Sequence, residues 1–192
     1  MRTILPPQAV LVPPEAELVF QGVVFSTYQW QQKTFDGSCQ TFEMLRRPDT
    51  VQVIAVKDDA IVILHERQPG GPWYYSMPGG RHDRESETEL GAARRELLEE
   101  TGLTFSEWKL LEVTQPHPKI EHFVYVFLAS GFERATTPTP DNGEQIHTRF
   151  VRLNTVKVLA TRPDARGIPT RILDRVASID ALLQLPALHP PM

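Results

Sequence analysis

The spacing of apolar positions changes twice along this chain, and each change marks a change of predicted element. Over residues 17–42 apolar and β-branched residues fall into strand-like pieces, ELVFQGVVFSTYQWQQ and SCQTFEML, joined at Phe35-Asp36-Gly37, where Asp-Gly is a strong turn signal. The pattern predicts an N-terminal antiparallel hairpin. After Arg47-Pro48-Asp49, the β-branched runs TVQVIAV and AIVILHE flank Lys57-Asp58-Asp59 and predict a second hairpin. QPGGPWYYSMPGG is a loop, and beyond it the period becomes helical from about Ser86 to Thr101, with Gly102 as the stop. Strands return in IEHFVYVFLAS and IHTRFVRL, separated by the polar loop TTPTPDNGEQ. Ile168-Pro169-Thr170 opens a last helix, in which Ile172, Val176, Ile179 and Leu183 recur at helical spacing up to Pro186. Residues 1–16, rich in proline, read as an extended arm. The order strands, helix, strands, helix predicts an α+β fold, a mixed sheet with helices packed on it rather than regular parallel units.

Bulk properties narrow the function. At 192 residues the chain fits one domain, or one domain with a small appendage. No apolar run approaches the roughly 20 residues that span a bilayer. Four prolines interrupt the first 20 residues and disfavour a signal peptide, so a soluble protein without a membrane partner is expected. A net charge of -4 with scattered basic residues argues against a nucleic-acid polymer as partner. The single cysteine, Cys39, excludes an intramolecular disulfide and any multi-thiolate metal site, which fits a cytoplasmic location.

The helix carries the candidate chemistry. In ETELGAARRELLEETGL, Leu90, Ala93 and Leu97 define a face for packing, and Glu96, Glu99 and Glu100 stand at i, i+3 and i+4 outside it. Like charges at those spacings repel by a few tenths of a kcal/mol per pair. They also crowd the C-terminal end of the helix, where the macrodipole disfavours each by about 0.3–1 kcal/mol. A solvated acidic helix end is the bland reading. The functional one is a cation site: oxygen ligands clustered this way suit hard divalent ions, Mg²⁺ or Mn²⁺, which also bridge phosphates.

The surroundings favour the second. Gly79-Gly80, then Glu87, then Arg95-Glu96-Leu97-Leu98-Glu99-Glu100-Thr101-Gly102-Leu103 resemble the Nudix box, a Gly, an early Glu, then Arg-Glu-apolar-x-Glu-Glu-x-Gly-apolar. The interval from Gly80 to Glu87 is one residue longer than the family's; that from Glu87 to Arg95 matches. The resemblance implies the Nudix fold, a mixed β-sheet sandwiched by helices. It implies that Glu96 and Glu100 bind metal with the carbonyl of Gly79, that Glu99 binds a further ion or its water, and that Arg95 orients a glutamate. Glu87 would stand behind these ligands.

The rest of the chain resembles, more loosely, the ADP-ribose and ADP-sugar pyrophosphatase branch. Three features carry it: the N-terminal strand section, Pro118, and Glu144 in the PDNGEQI loop. This implies residues 1–45 as an arm and strand section that pairs two subunits into a homodimer, and 46–192 as the hydrolase domain. It implies Glu144 as base or water-positioning group and Arg67 as a phosphate-binding arginine. Trp73, Tyr74, Tyr28 and Trp30 are candidates to stack on base or ribose, and Glu121 is a candidate supporting acid. Where the branch often has a glutamate before Pro-Ala-Gly, this chain has Ser76 before Met77-Pro78-Gly79-Gly80. The expected reaction is metal-dependent hydrolysis of the pyrophosphate bond of a nucleoside diphosphate derivative, ADP-ribose or a related nucleotide sugar, giving AMP and a sugar phosphate, with Glu99 or Glu144 accepting the proton. The alternatives are hydrolysis of nucleoside triphosphates or dinucleoside polyphosphates, and a non-catalytic nucleotide-binding module. The presence of all three box glutamates speaks against the module.

Overall fold

A computed structural model describes residues 2–141 and 143–188. The chain order is β1 (Glu17–Gln21), β2 (Ser26–Lys33), β3 (Cys39–Arg46), β4 (Asp49–Lys57), β5 (Ala60–Arg67), β6 (Tyr74–Ser76), β7 (Gly79–His82), α1 (Glu89–Thr101), β8 (Leu103–Thr114), β9 (Ile120–Glu121), β10 (Val124–Ala135), β11 (Gln145–Val151), α2 (Leu153–Ala160), α3 (Thr170–Leu173) and α4 (Ile179–Leu183). A small sheet runs β1-β2-β3-β9; a seven-stranded sheet runs β11-β5-β4-β10-β8, with β6 on β5 and β7 on β4. In the large sheet β4 and β10 are parallel and its other pairs antiparallel, so the sheet is mixed. Among the described residues no helix is long and apolar enough to cross a membrane.

The β-branched runs of β4 and β5 are buried on both faces, as a central strand pair requires. The two-residue period of the strand splits them between two cores. Val51, Val53, Ala55 and Val62 face α1 through Ala92, Ala93 and Leu97, together with Phe105, Tyr125 and Phe127. Ile54, Val56, Ile61 and Ile63 face α2, α3 and α4 through Leu153, Val156, Ile172, Leu173 and Leu182. The sheet therefore lies between helices, as expected of an α+β Nudix fold.

Several local expectations need correction. IEHFVYVFLAS is not one strand. β9 pairs with β3 in the small sheet and β10 with β4 in the large one, and between them the Phe123 N–H donates to Asp49 Oδ1 at 2.9 Å. The last helix is split: α3 ends at Leu173, and α4 begins only where the Ser178 hydroxyl caps Ala181 N–H at 3.1 Å. α2, whose first residue had been assigned to the preceding strand, was not anticipated. The N-terminal arm docks on the domain: Ile4, Leu5 and Ala9 pack on the α1 core. Its polar groups meet buried carboxylates, Arg2 with Asp49 and Glu121, Thr3 with Glu89, and Val12 N–H with Glu121.

Candidate active site

α1 starts at Thr88, whose hydroxyl accepts from Gly91 N–H at 3.0 Å, and ends at Gly102, which turns left-handed at φ 72° so that its N–H closes on the Leu98 carbonyl. Its buried stripe includes Ala93, Leu97 and Glu100. Glu100 thus lies on the core side of the helix rather than outside the packing face, and its carboxylate accepts Gly79 N–H at 2.8 Å. Burial, the main cause, pushes its carboxyl well above the ordinary range; Glu66, Glu96 and Glu144 push the same way, against the Gly79 hydrogen bond. Burial likewise raises Glu96 despite its bond from Arg95.

Arg95 organises the neighbouring acids. It donates bidentately to Glu87 at 2.9 and 3.0 Å, to Glu96 at 2.7 Å, to Glu99 at 3.1 Å, and to the Arg81 carbonyl at 3.0 Å. Those bonds hold the Glu87 carboxyl below its ordinary range. Arg84 grips the other Glu99 oxygen at 3.0 Å. β7 supplies the floor. A Cβ on Gly79, at φ 147°, would meet the Val51 carbonyl at 2.1 Å, and one on Gly80 would meet the Glu96 carboxyl carbon at 2.6 Å.

Gly79, Gly80, Arg81 and the three α1 glutamates line a cleft of about 650 Å³. Glu96, Glu99 and Glu100 stand on the α1 wall; Glu66, Tyr74 and Ser76 come from β5 and β6, and Asp141 and Glu144 from the loop before β11. Glu144 accepts from Gln68 Nε2 at 2.6 Å. Among the described residues no three of these carboxylates converge on one point. The donors are oxygens alone, with carboxylates raised by burial and by one another, which fits a hard cation that keeps part of its water shell.

Other candidates lie elsewhere. On β5 the face that carries Val62 towards α1 also carries Glu66 into the cleft, so Arg67 points to the opposite face. There it donates to Gln145 at 2.8 Å and lies 5.1 Å from the Trp73 ring centre. Trp73 stacks between His65 and His147 on that outer face. Tyr28 lies under Arg46 and Trp30 beside Phe42 on the small sheet, outside the cleft lining. Glu121 is buried at the junction of arm and β3, where Arg2, Arg46 and Val12 N–H occupy it.

A family model described as the NUDIX domain matches residues 46–172, more than half of the chain. The chain belongs to the Nudix family. Two curated relatives of this Nudix chain are described as ADP-ribose pyrophosphatases. That of Bacillus subtilis (strain 168) is 30% identical over 116 residues, 59% of this chain and 62% of the relative. That of Mycobacterium tuberculosis (strain H37Rv) is 26% identical over 132 residues, 67% of this chain and 64% of the relative. The match spans less than two thirds of either relative's length. A solved structure described as that of an ADP compounds hydrolase shares the fold, with a TM-score of 0.67 at 19% identity, covering 92% of this chain and 93% of that one.

The Nudix box made the α1 wall legible; the facing side was legible only at Glu144 and Tyr74. Glu66, Asp141 and Arg166 line the cleft and were not singled out from sequence. For Glu66 a signal exists: it follows Leu64 by two in an apolar strand, which puts a carboxylate on a buried face, an arrangement that calls for a partner. Ser76, opposite Leu64 on β6, donates its hydroxyl to Glu66.

Proposed function

We propose that this Nudix protein is a divalent-cation-dependent hydrolase of the pyrophosphate bond in nucleoside diphosphate derivatives, with ADP-ribose or a related nucleotide sugar as substrate and AMP and a sugar phosphate as products. The observation that carries the reading is the gathering of Glu96, Glu99, Glu100 and Glu144 around one cleft that is also lined by arginines. The choice of substrate is supported by the descriptions of the two curated relatives as ADP-ribose pyrophosphatases.

Glu96 and Glu100 would hold the cation, with Gly79 contributing its backbone carbonyl and Glu99 a further oxygen. A Mg²⁺ or Mn²⁺ ion there supplies neutralisation of the diphosphate and acidification of water. Arg95 orients Glu87, Glu96 and Glu99. Glu99 spends both oxygens on guanidinium groups, while Glu144 has one oxygen outside its bond with Gln68. Glu144 is therefore the better proton acceptor, and Glu99 positions.

The test is Mg²⁺-dependent phosphate release, coupled to a phosphatase, over ADP-ribose, other nucleotide sugars, dinucleotides and triphosphates, beside Glu144→Gln and Glu99→Gln. A preference for ADP-ribose, with a loss of roughly 10²-fold or more in kcat for Glu144→Gln, is expected. Turnover restricted to triphosphates or dinucleotides would replace the substrate, and nucleotide binding without turnover would replace the enzyme by a binding module.

We further propose a homodimer through residues 1–45. Support comes from β1, whose five residues are all exposed, Leu18, Val19 and Phe20 among them, with Val23 beside it almost wholly exposed. Sedimentation as a monomer at micromolar concentration overturns it.

A further inference from the structure

The cleft's acidic wall faces a cation that the proposed chemistry does not yet use. Arg166 lies on the loop 161–169 after α2 and lines the same cleft as Glu96, Glu99 and Glu100. Its backbone is fixed on two strands. Tyr75 N–H donates to the Asp164 carbonyl at 2.7 Å and Arg166 N–H to the Tyr75 carbonyl at 2.8 Å, which tie the loop to β6. Gly167, at φ 59°, sits so close to β4 that a Cβ would meet Gln52 Nε2 at 2.4 Å. Arg162 closes the loop on itself through Asp164, at 2.7 and 2.8 Å.

The side chain is oriented as well. The Arg166 guanidinium carbon lies 4.2 Å from the centre of the Tyr74 ring. That distance places the cation over the ring face, where the aromatic quadrupole attracts it. Among the described residues the guanidinium enters no ion pair and no hydrogen bond, in contrast to the other two arginines of the cleft: Arg81 has Asp83 at 3.7 Å, and Arg47 donates Nε to the Pro48 carbonyl at 3.3 Å. A planar fork held on a ring face, its donors unspent, loses little entropy on meeting two oxygens of one phosphate.

We propose that Arg166, seated on Tyr74, is a substrate-binding residue that clamps the substrate's diphosphate from the β6 side of the cleft, across from α1. The inference rests on the pyrophosphatase reading above. Carboxylates and their ions grip one side of the diphosphate, and Arg166 supplies the fixed positive charge that grips the other. The contact is made in the bound substrate complex, so its loss is read in KM.

The test compares wild type, Arg166→Ala and Arg166→Lys for KM and kcat on ADP-ribose, with melting temperature as the check on folding. Arg166→Ala raises KM about 10-fold or more with kcat within about threefold, the loss expected for a charge-assisted pair of bonds. Arg166→Lys falls between, because it keeps the charge without the fork, and it decides the matter if the alanine variant does not fold. An unchanged KM in the folded variants, whatever happens to kcat, overturns the clamp. Should wild type turn over no nucleoside diphosphate derivative, the function fails separately, and calorimetry with inorganic pyrophosphate tests Arg166 alone. A Kd raised tenfold in the variant then supports the clamp, and an equal Kd overturns it.

Discussion

A β-carbon at position 80 would lie 2.6 Å from the Glu96 carboxyl carbon and 2.7 Å from both its oxygens, so the absence of a side chain there is what lets that carboxylate lie against β7. The obstacle is the far end of a flexible side chain, which can turn away at a cost of about 1 kcal/mol. Gly80→Ala should therefore fold nearly as well as wild type yet hold Glu96 in the wrong place. Misplacing a group that orients a metal site costs about 10- to 100-fold in metal affinity. The expected outcome is a Mg²⁺ requirement raised by about 10-fold or more in a titration of activity, with a melting temperature within a few degrees of wild type. An unchanged Mg²⁺ titration would separate Glu96 from the cation and shift the site towards Glu100 and Glu144.

Among elements, α1 was the most legible, because its information is local: a three-four apolar repeat and a stop glycine within one run of sequence. Even there, Glu100 faces the core, since a residue three beyond Leu97 falls on the same stripe. The second hairpin was equally local, its turn closing where Lys57 pairs with Ala60. β8 was missed because its twelve residues mix Glu, Lys and Trp with apolar positions and earn their strand only from pairing with β10. The splitting of the last helix has a similar origin. Ile172, Val176, Ile179 and Leu183 share a helical period and all meet one core, but the turn after Leu173 brings them there in two pieces. Residues were legible in the candidate site where a motif fixed their spacing, as for Glu96, Glu99 and Glu100. They were illegible where strand parity decided, as for Glu66 over Arg67.

At the scale of the whole molecule, the N-terminal arm is tied to the two sheets through buried carboxylates. Asp49 and Glu121 share Arg2, Glu89 takes Thr3, and Arg46 adds a bidentate bond to Glu121 at 2.9 and 3.1 Å. Burial by itself would raise the Glu121 carboxyl, but hydrogen bonds from Arg46, Arg2 and Val12 N–H outweigh it and hold the group below its ordinary range. In the unfolded chain the same carboxyl titrates near its ordinary value, about 4.3. A pKa depressed by folding contributes stability that is complete above the unfolded value and is lost as pH falls through the folded one. Glutamine at this position cannot titrate and leaves Arg46 without its charge partner, while Arg2 keeps Asp49 alone. Glu121→Gln should therefore be less stable than wild type at pH 7, by about 1–3 kcal/mol once the partial exposure of Arg2 and Arg46 is allowed for. The gap should close as pH falls below about 4, because wild type then loses the same charge. Urea unfolding of both proteins between pH 7 and pH 3 measures that gap directly. A gap that stays constant across the range would mean that the carboxylate's charge adds nothing, and that the arm is held by its packing through Ile4, Leu5 and Ala9 and by the contacts of Arg2 with Asp49 and Thr3 with Glu89.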